Sequence, residues 1–115
     1  MPRSNGHYSQ VVEHNGMLFL SGQLPIDPVS KKIPESIEEQ TKQALSNVAL
    51  LLQEAGSDIN KILQMRVYIS DIRLWDRVNN VYKAFFGAHK PVRVVVPVNT
   101  LHFGCLIEIE AMAAV

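Results

Sequence analysis

Pro91-Val92-Arg93-Val94-Val95-Val96-Pro97-Val98 reads as a β-strand that is apolar on both faces, with one permanent cation set among the valines. Valines at consecutive positions leave neither face suited to water, the pattern of a strand covered on both sides. A guanidinium in such a strand is expensive to bury without an anionic partner, so something negative is expected at Arg93. Nine residues after Val98 begins Ile107-Glu108-Ile109-Glu110-Ala111, where strand alternation puts both carboxylates on one face and both isoleucines on the other. Two readings are open. Arg93 pairs with Glu108 or Glu110 as a structural ion pair, or it holds the carboxylate of a small ligand through two parallel hydrogen bonds while a nearby glutamate handles a proton or a water.

Upstream of this strand, Trp75, Val78, Val81, Tyr82, Phe85 and Phe86 recur with helical period between Asp71, a capping residue, and Gly87. The stripe reads as core. Before it, Ile62 to Ser70 is rich enough in β-branched and aromatic residues for a strand, although Leu63-Gln64-Met65-Arg66 weakens the alternation. A longer helix begins at the capping box Ser36-Ile37-Glu38-Glu39, carries Ile37, Thr41, Ala44, Leu45, Val48, Leu51, Leu52 and Ala55 on one stripe, and stops at Gly56. Nearer the N-terminus, Ser9 to His14 and Met17 to Ser21 flank Asn15-Gly16, a strong hairpin signal. Gln23 to Glu35, broken by Pro25, Asp27-Pro28 and Pro34, reads as a long irregular connection. The last strand is expected over about Cys105 to Ala113.

The order is β, β, α, β, α, β, β, an α+β layout with both helices on one face of a sheet. Two helices cover only one face, so the other is expected to be closed by a second copy of the same subunit. At 115 residues the chain is expected to form one domain, 1–115. Lys+Arg and Asp+Glu both number 11, so the net charge of zero gives no footprint for nucleic acid or a membrane surface. No apolar run approaches the roughly 20 residues that span a bilayer. One cysteine, Cys105, forms no disulfide within the chain, and no signal-peptide pattern opens it, so a cytoplasmic protein is expected.

His7, His14, His89 and His102 show no metal-ligand spacing, and Gly16 and Gly22 are too far apart for a phosphate-cradling loop. Neither a metal nor a nucleotide cofactor is expected. Cys105, in an apolar strand, reads as an inert core thiol. What remains is a set of polar residues near strand ends, Tyr8, Ser21, Asn79, Arg93 and Glu108, each with an ordinary structural explanation when taken singly.

The words Gly6-His7-Tyr8-Ser9-Gln10, Phe19-Leu20-Ser21-Gly22-Gln23-Leu24-Pro25, Gln40-Thr41-Lys42-Gln43-Ala44-Leu45-Ser46-Asn47, Val78-Asn79-Asn80-Val81-Tyr82-Lys83-Ala84-Phe85-Phe86, Pro91-Val92-Arg93 and Ile107-Glu108-Ile109-Glu110-Ala111-Met112-Ala113 occur in order. With them the chain resembles, nearly end to end, the YjgF/RidA family of reactive-intermediate imine deaminases. The resemblance implies a chorismate-mutase-like trimer with an inner barrel of sheets, helices outside and ligand sites between subunits. It also implies hydrolysis of enamine and imine intermediates, such as 2-aminoacrylate and 2-iminopropanoate, to 2-oxo acids and ammonia, a role in metabolite damage control that needs no cofactor.

Carried over by position, Arg93 would grip the substrate carboxylate and Glu108 would orient or deprotonate the attacking water. Tyr8, Ser21 and Asn79 would line the cleft, with backbone groups at Gly22 and Val95 adding hydrogen bonds. Other readings by resemblance are a carboxylate-binding or chaperone-like trimer without turnover, and the ribonuclease activity attributed to some relatives, against which the zero net charge argues. The chain departs from the family where His7 replaces a usual proline, Val95 a frequent cysteine, and His102-Phe103 a Pro-Lys pair. The last change makes a cleft wall more apolar and puts substrate choice in question.

Overall fold

The structure is a computed structural model, and it describes residues 6–115. Asn15 and Gly16 both take positive φ, 51° and 77°, the turn that matches the twist of two paired strands, and they join β1 (Val11–His14) to β2 (Met17–Leu20) as read from the sequence. The irregular connection leads to Ser36, whose hydroxyl accepts the Glu39 amide at 3.1 Å and starts α1 (Ile37–Glu54). Then follow β3 (Ile62–Ile69), α2 (Trp75–Phe86), β4 (Val92–Pro97) and β5 (Ile107–Ala114).

The five strands form one mixed sheet in the order β1-β2-β5-β3-β4. Only β3 and β4 run parallel, because α2 carries the chain back across the sheet between them. Leu18, Met65, Val67, Ile69, Ile107 and Ile109 are buried beneath Leu45, Val48, Leu52, Val78 and Phe86 of the two helices, so the single core lies between the sheet and the helical layer.

Several local readings shift. β1 begins at Val11 rather than Ser9, and β5 at Ile107 rather than Cys105, which is buried just before the strand. The weak alternation after Ile62 is a β-bulge: Leu63 drops out of register with β5, stands exposed, and resets the faces so that Met65 and Val67 point inward. Asp71 caps a short 3₁₀ turn, Ile72–Leu74, rather than the α-helix itself, which begins at Trp75. Trp75, expected in the buried stripe, is consequently 36% exposed at the first turn of α2.

Strand pairing fixes what the uncovered face carries. Register aligns Val92 with Gln64, Val94 with Arg66 and Val96 with Tyr68, and aligns Gln64, Arg66 and Tyr68 with Met112, Glu110 and Glu108. Phe19 and Val12 continue this face at the other edge. Val92 is 66% and Val94 44% exposed there. An apolar sheet face without a layer over it is unusual for a chain that acts alone. Its centre is polar: the Tyr68 hydroxyl donates to Glu110 Oε1 at 2.5 Å, and Arg66 stands 3.7 Å from the same carboxylate. That carboxylate holds the Tyr68 proton and pushes its pKa above the ordinary value.

Candidate functional site

Beyond β2 the chain stays against β5, because Gln23 exchanges both backbone hydrogen bonds with Ile109, at 2.6 and 3.0 Å. This brings Gly22 onto the Glu108 side chain so closely that a Cβ there would lie 2.5 Å from Oε2 and 3.0 Å from Cδ. Only glycine fits. Glu108 and Gly22 belong to a cleft of about 590 Å³ whose walls include Tyr8, Gln10, Gln23, Lys31, Asn47, Leu50, His102 and Phe103. Asn47 holds the outer wall by donating to the carbonyls of Leu24 and Ile26, at 2.9 and 3.0 Å. The half-buried Glu108 carboxyl is pushed above the ordinary glutamate value, first by burial and then by the charge of Glu110, with His102 opposing. A carboxylate held at some energetic disadvantage accepts a proton readily.

Ser21 enters this site indirectly. Its hydroxyl donates to Gln10 Oε1 at 3.0 Å, and the Gln23 amide reaches the same oxygen at 3.2 Å, so the serine braces the strand end beside the cleft.

Arg93 lies elsewhere. It projects from edge strand β4 toward α2, where Nη1 donates to Asn79 Oδ1 at 2.9 Å and the guanidinium carbon lies 4.7 Å from the Tyr82 ring centre and 5.4 Å from that of Trp75. Among the described residues no carboxylate lies within ion-pair distance of Arg93. The structural pairing with Glu108 or Glu110 is therefore absent in the chain, and Glu110 is taken by Tyr68 and Arg66. Rings and an amide meet the cation without neutralising it. An arginine has five N–H donors, so most of this guanidinium stays available for an acid. Val95, two residues on and on the same face, packs half-buried against the core.

The expected site residues thus fall into two groups. Tyr8, Gly22 and Glu108 share one cleft, braced by Ser21, while Arg93, Asn79 and Val95 gather at the opposite side of the sheet. Trp75 and Tyr82, which belong to the apolar stripe of α2, frame the cation. Their spacing carried the signal, since positions 75, 79 and 82 lie on one helical face. Tyr82 is buried, its hydroxyl has no hydrogen-bond partner among the described residues, and burial pushes its pKa up to about 12. Among those residues no three of His, Cys, Asp or Glu gather as a metal site, and no helix is long and apolar enough to cross a membrane.

The sequence matches the family model described as endoribonuclease L-PSP over residues 1–115. A RutC family protein of Pyrococcus abyssi is 40% identical over 113 residues, covering 97% of this chain and 89% of that protein. The mouse 2-iminobutanoate/2-iminopropanoate deaminase is 36% identical over 113 residues, covering 97% of this chain and 84% of the mouse protein. Among solved structures, E. coli TdcF with bound serine superposes with a TM-score of 0.94 at 36% identity, covering 99% of this chain and 92% of TdcF. Family model, sequence relatives and fold agree with the words quoted from the sequence, and the chain belongs to the endoribonuclease L-PSP family, the YjgF/RidA family.

Proposed function

We propose that the protein hydrolyses reactive 2-imino acids and their enamine tautomers to 2-oxo acids and ammonia, as a homotrimer whose sites form where Arg93 of one copy meets the Glu108 cleft of the next. The observation that carries this reading is the division of the site. Arg93, half-exposed and with no acid partner among the described residues, lies on the helix-covered face and Glu108 on the other, and the exposed Phe19, Val92 and Val94 of that uncovered face call for further copies. The names of the mouse and bovine relatives, both 2-iminobutanoate/2-iminopropanoate deaminases, supply the reaction. The serine bound in TdcF, an amino acid of the size expected, agrees with a carboxylate site.

The chemistry asks little of the protein. Arg93 holds the substrate carboxylate through two N–H groups, with Asn79 steadying the guanidinium. Glu108 takes a proton from a water as that water attacks the carbon of the C=N bond. The carbinolamine then collapses, nitrogen leaves as ammonia with the proton Glu108 returns, and the carbonyl of the 2-oxo acid forms. Tyr8 and the backbone at Gly22 and Val95 complete the ligand contacts. No cofactor enters this hydrolysis.

A dehydratase that generates 2-aminoacrylate from serine, run with and without the protein, tests the reading. Accelerated ammonia release is expected, with Arg93→Ala reducing it to the uncatalysed rate while remaining folded. Full turnover by that variant removes Arg93 from the site.

A further inference from the structure

Phe103 is held neither by the core nor by its own backbone preference. Its φ of 59° and ψ of 23° place a bulky aromatic residue in the left-handed region, and the residue is 62% exposed in the single chain. Strain of this kind persists where the surroundings enforce it, and it clusters at ligand sites. The ring stands against His102, with centroids 3.8 Å apart and planes tilted by 47°, and both rings line the Glu108 cleft. Tyr8 contributes a third ring to the same cleft, and Ile26 and Leu50 add aliphatic wall.

The lining points the same way. In the proposed assembly Arg93 of the neighbouring copy enters this cleft opposite Glu108, and a flat apolar side chain covers the rings and aliphatic groups of its wall where a methyl group does not.

Resting on the deaminase reading, the geometry points to a substrate class: 2-imino acids whose side chain carries an aromatic ring, seated against Phe103 and His102 while the imine carbon lies beside Glu108. The reaction is unchanged. Water adds across C=N, ammonia leaves, and the aromatic 2-oxo acid is released, with no oxidant or reductant consumed. The substrate must be supplied by a reaction that dehydrogenates an aromatic amino acid at its α-carbon.

A D-amino acid oxidase with catalase generates both test imines, the methyl one from D-alanine and the benzyl one from D-phenylalanine, and semicarbazide traps whatever is not hydrolysed. The wild type is expected to show the higher kcat/KM on the benzyl imine. Phe103→Asn removes the ring and keeps a residue that accepts left-handed backbone. It is expected to lower the ratio of benzyl to methyl kcat/KM about tenfold. A wild type that handles the methyl imine at least as well, or a variant in which the ratio does not change, overturns the inference.

Binding gives a readout that turnover does not decide. Phenylpyruvate is expected to raise the melting temperature of the wild type at about tenfold lower concentration than pyruvate, and equal potency overturns the aromatic seat even if Phe103→Asn fails to fold. Absence of turnover on both imines sinks the deaminase reading, which the melting comparison separates from the question of the seat.

Discussion

Arg93 and Glu108 project from opposite faces of one sheet, Arg93 from β4 toward α2 and Glu108 from β5 toward the uncovered face, with β3 between them. No side-chain rotation joins them within one chain, so a site that needs both takes one from each of two copies. Arg93→Ala and Glu108→Gln are each expected to be inactive alone. Refolded together in equal amounts, they place an intact arginine beside an intact glutamate at about one interface in four, and about a quarter of wild-type turnover returns. Failure of the mixture to recover any ammonia release, with each variant folded, counts against a shared site.

Gly22 owes its identity to distance. A methyl group there meets Glu108 Oε2 at 2.5 Å, and the carboxylate has to swing away from its place in the cleft. A displacement of about 1 Å in a catalytic group lowers rates by about a hundredfold, so Gly22→Ala is expected to lose on that order in kcat with little change in melting temperature. Steady-state kinetics beside a thermal melt check this, and an unchanged kcat means Glu108 does not act from this position.

Much of the fold was legible because local chemistry and burial agree. The Asn15-Gly16 turn, the Ser36 cap and the valine strand each dictate their own geometry, and the alternation in Ile107-Glu108-Ile109-Glu110 places the carboxylates as observed. The partner of Arg93 was not legible, because a sequence shows that a cation needs company and not which element crosses it. Asn79, Trp75 and Tyr82 reach it only because α2 lies beside β4. The bulge at Leu63 was equally hidden, since a one-residue slip leaves only a blurred alternation in the residues around it. The separation of Arg93 from Glu108 follows from strand order, which no local pattern encodes.

Glu108 predicts two pH dependences. Burial, with repulsion from Glu110, raises its pKa in the fold above the ordinary 4.5, so turnover that needs the carboxylate falls as pH drops through a value above 4.5. The stability sign is the reverse. Between 4.5 and the raised value the folded state holds a proton that the unfolded chain releases, so stability declines as pH rises through that window and stays lower above it. Glu108→Gln is therefore expected to melt higher than the wild type near about pH 7, to match it below about pH 4, and to lose at least about a hundredfold in kcat. Melting curves across that range check the sign, and a variant that melts lower at neutral pH shows that the carboxylate is stabilised where it stands.

Val94 lies on the uncovered face opposite Arg66 in register, 44% exposed in the single chain. If that face packs against further copies, a carboxylate at this position is withdrawn from water beside Glu110, whose charge already engages Arg66, at a cost of several kcal/mol, while in a lone chain it stays solvated. Val94→Glu is thus expected to leave the helix and strand content intact and to shift the particle from three times the 12.9 kDa chain mass to the chain mass itself. Turnover should vanish with the shift, because separated chains leave every Arg93 on one particle and every neighbouring Glu108 cleft on another. Light scattering read beside activity decides it: a Val94→Glu protein that is monomeric and still active places the whole reaction within one chain, and a wild type already at the chain mass removes the seam on which the site depends.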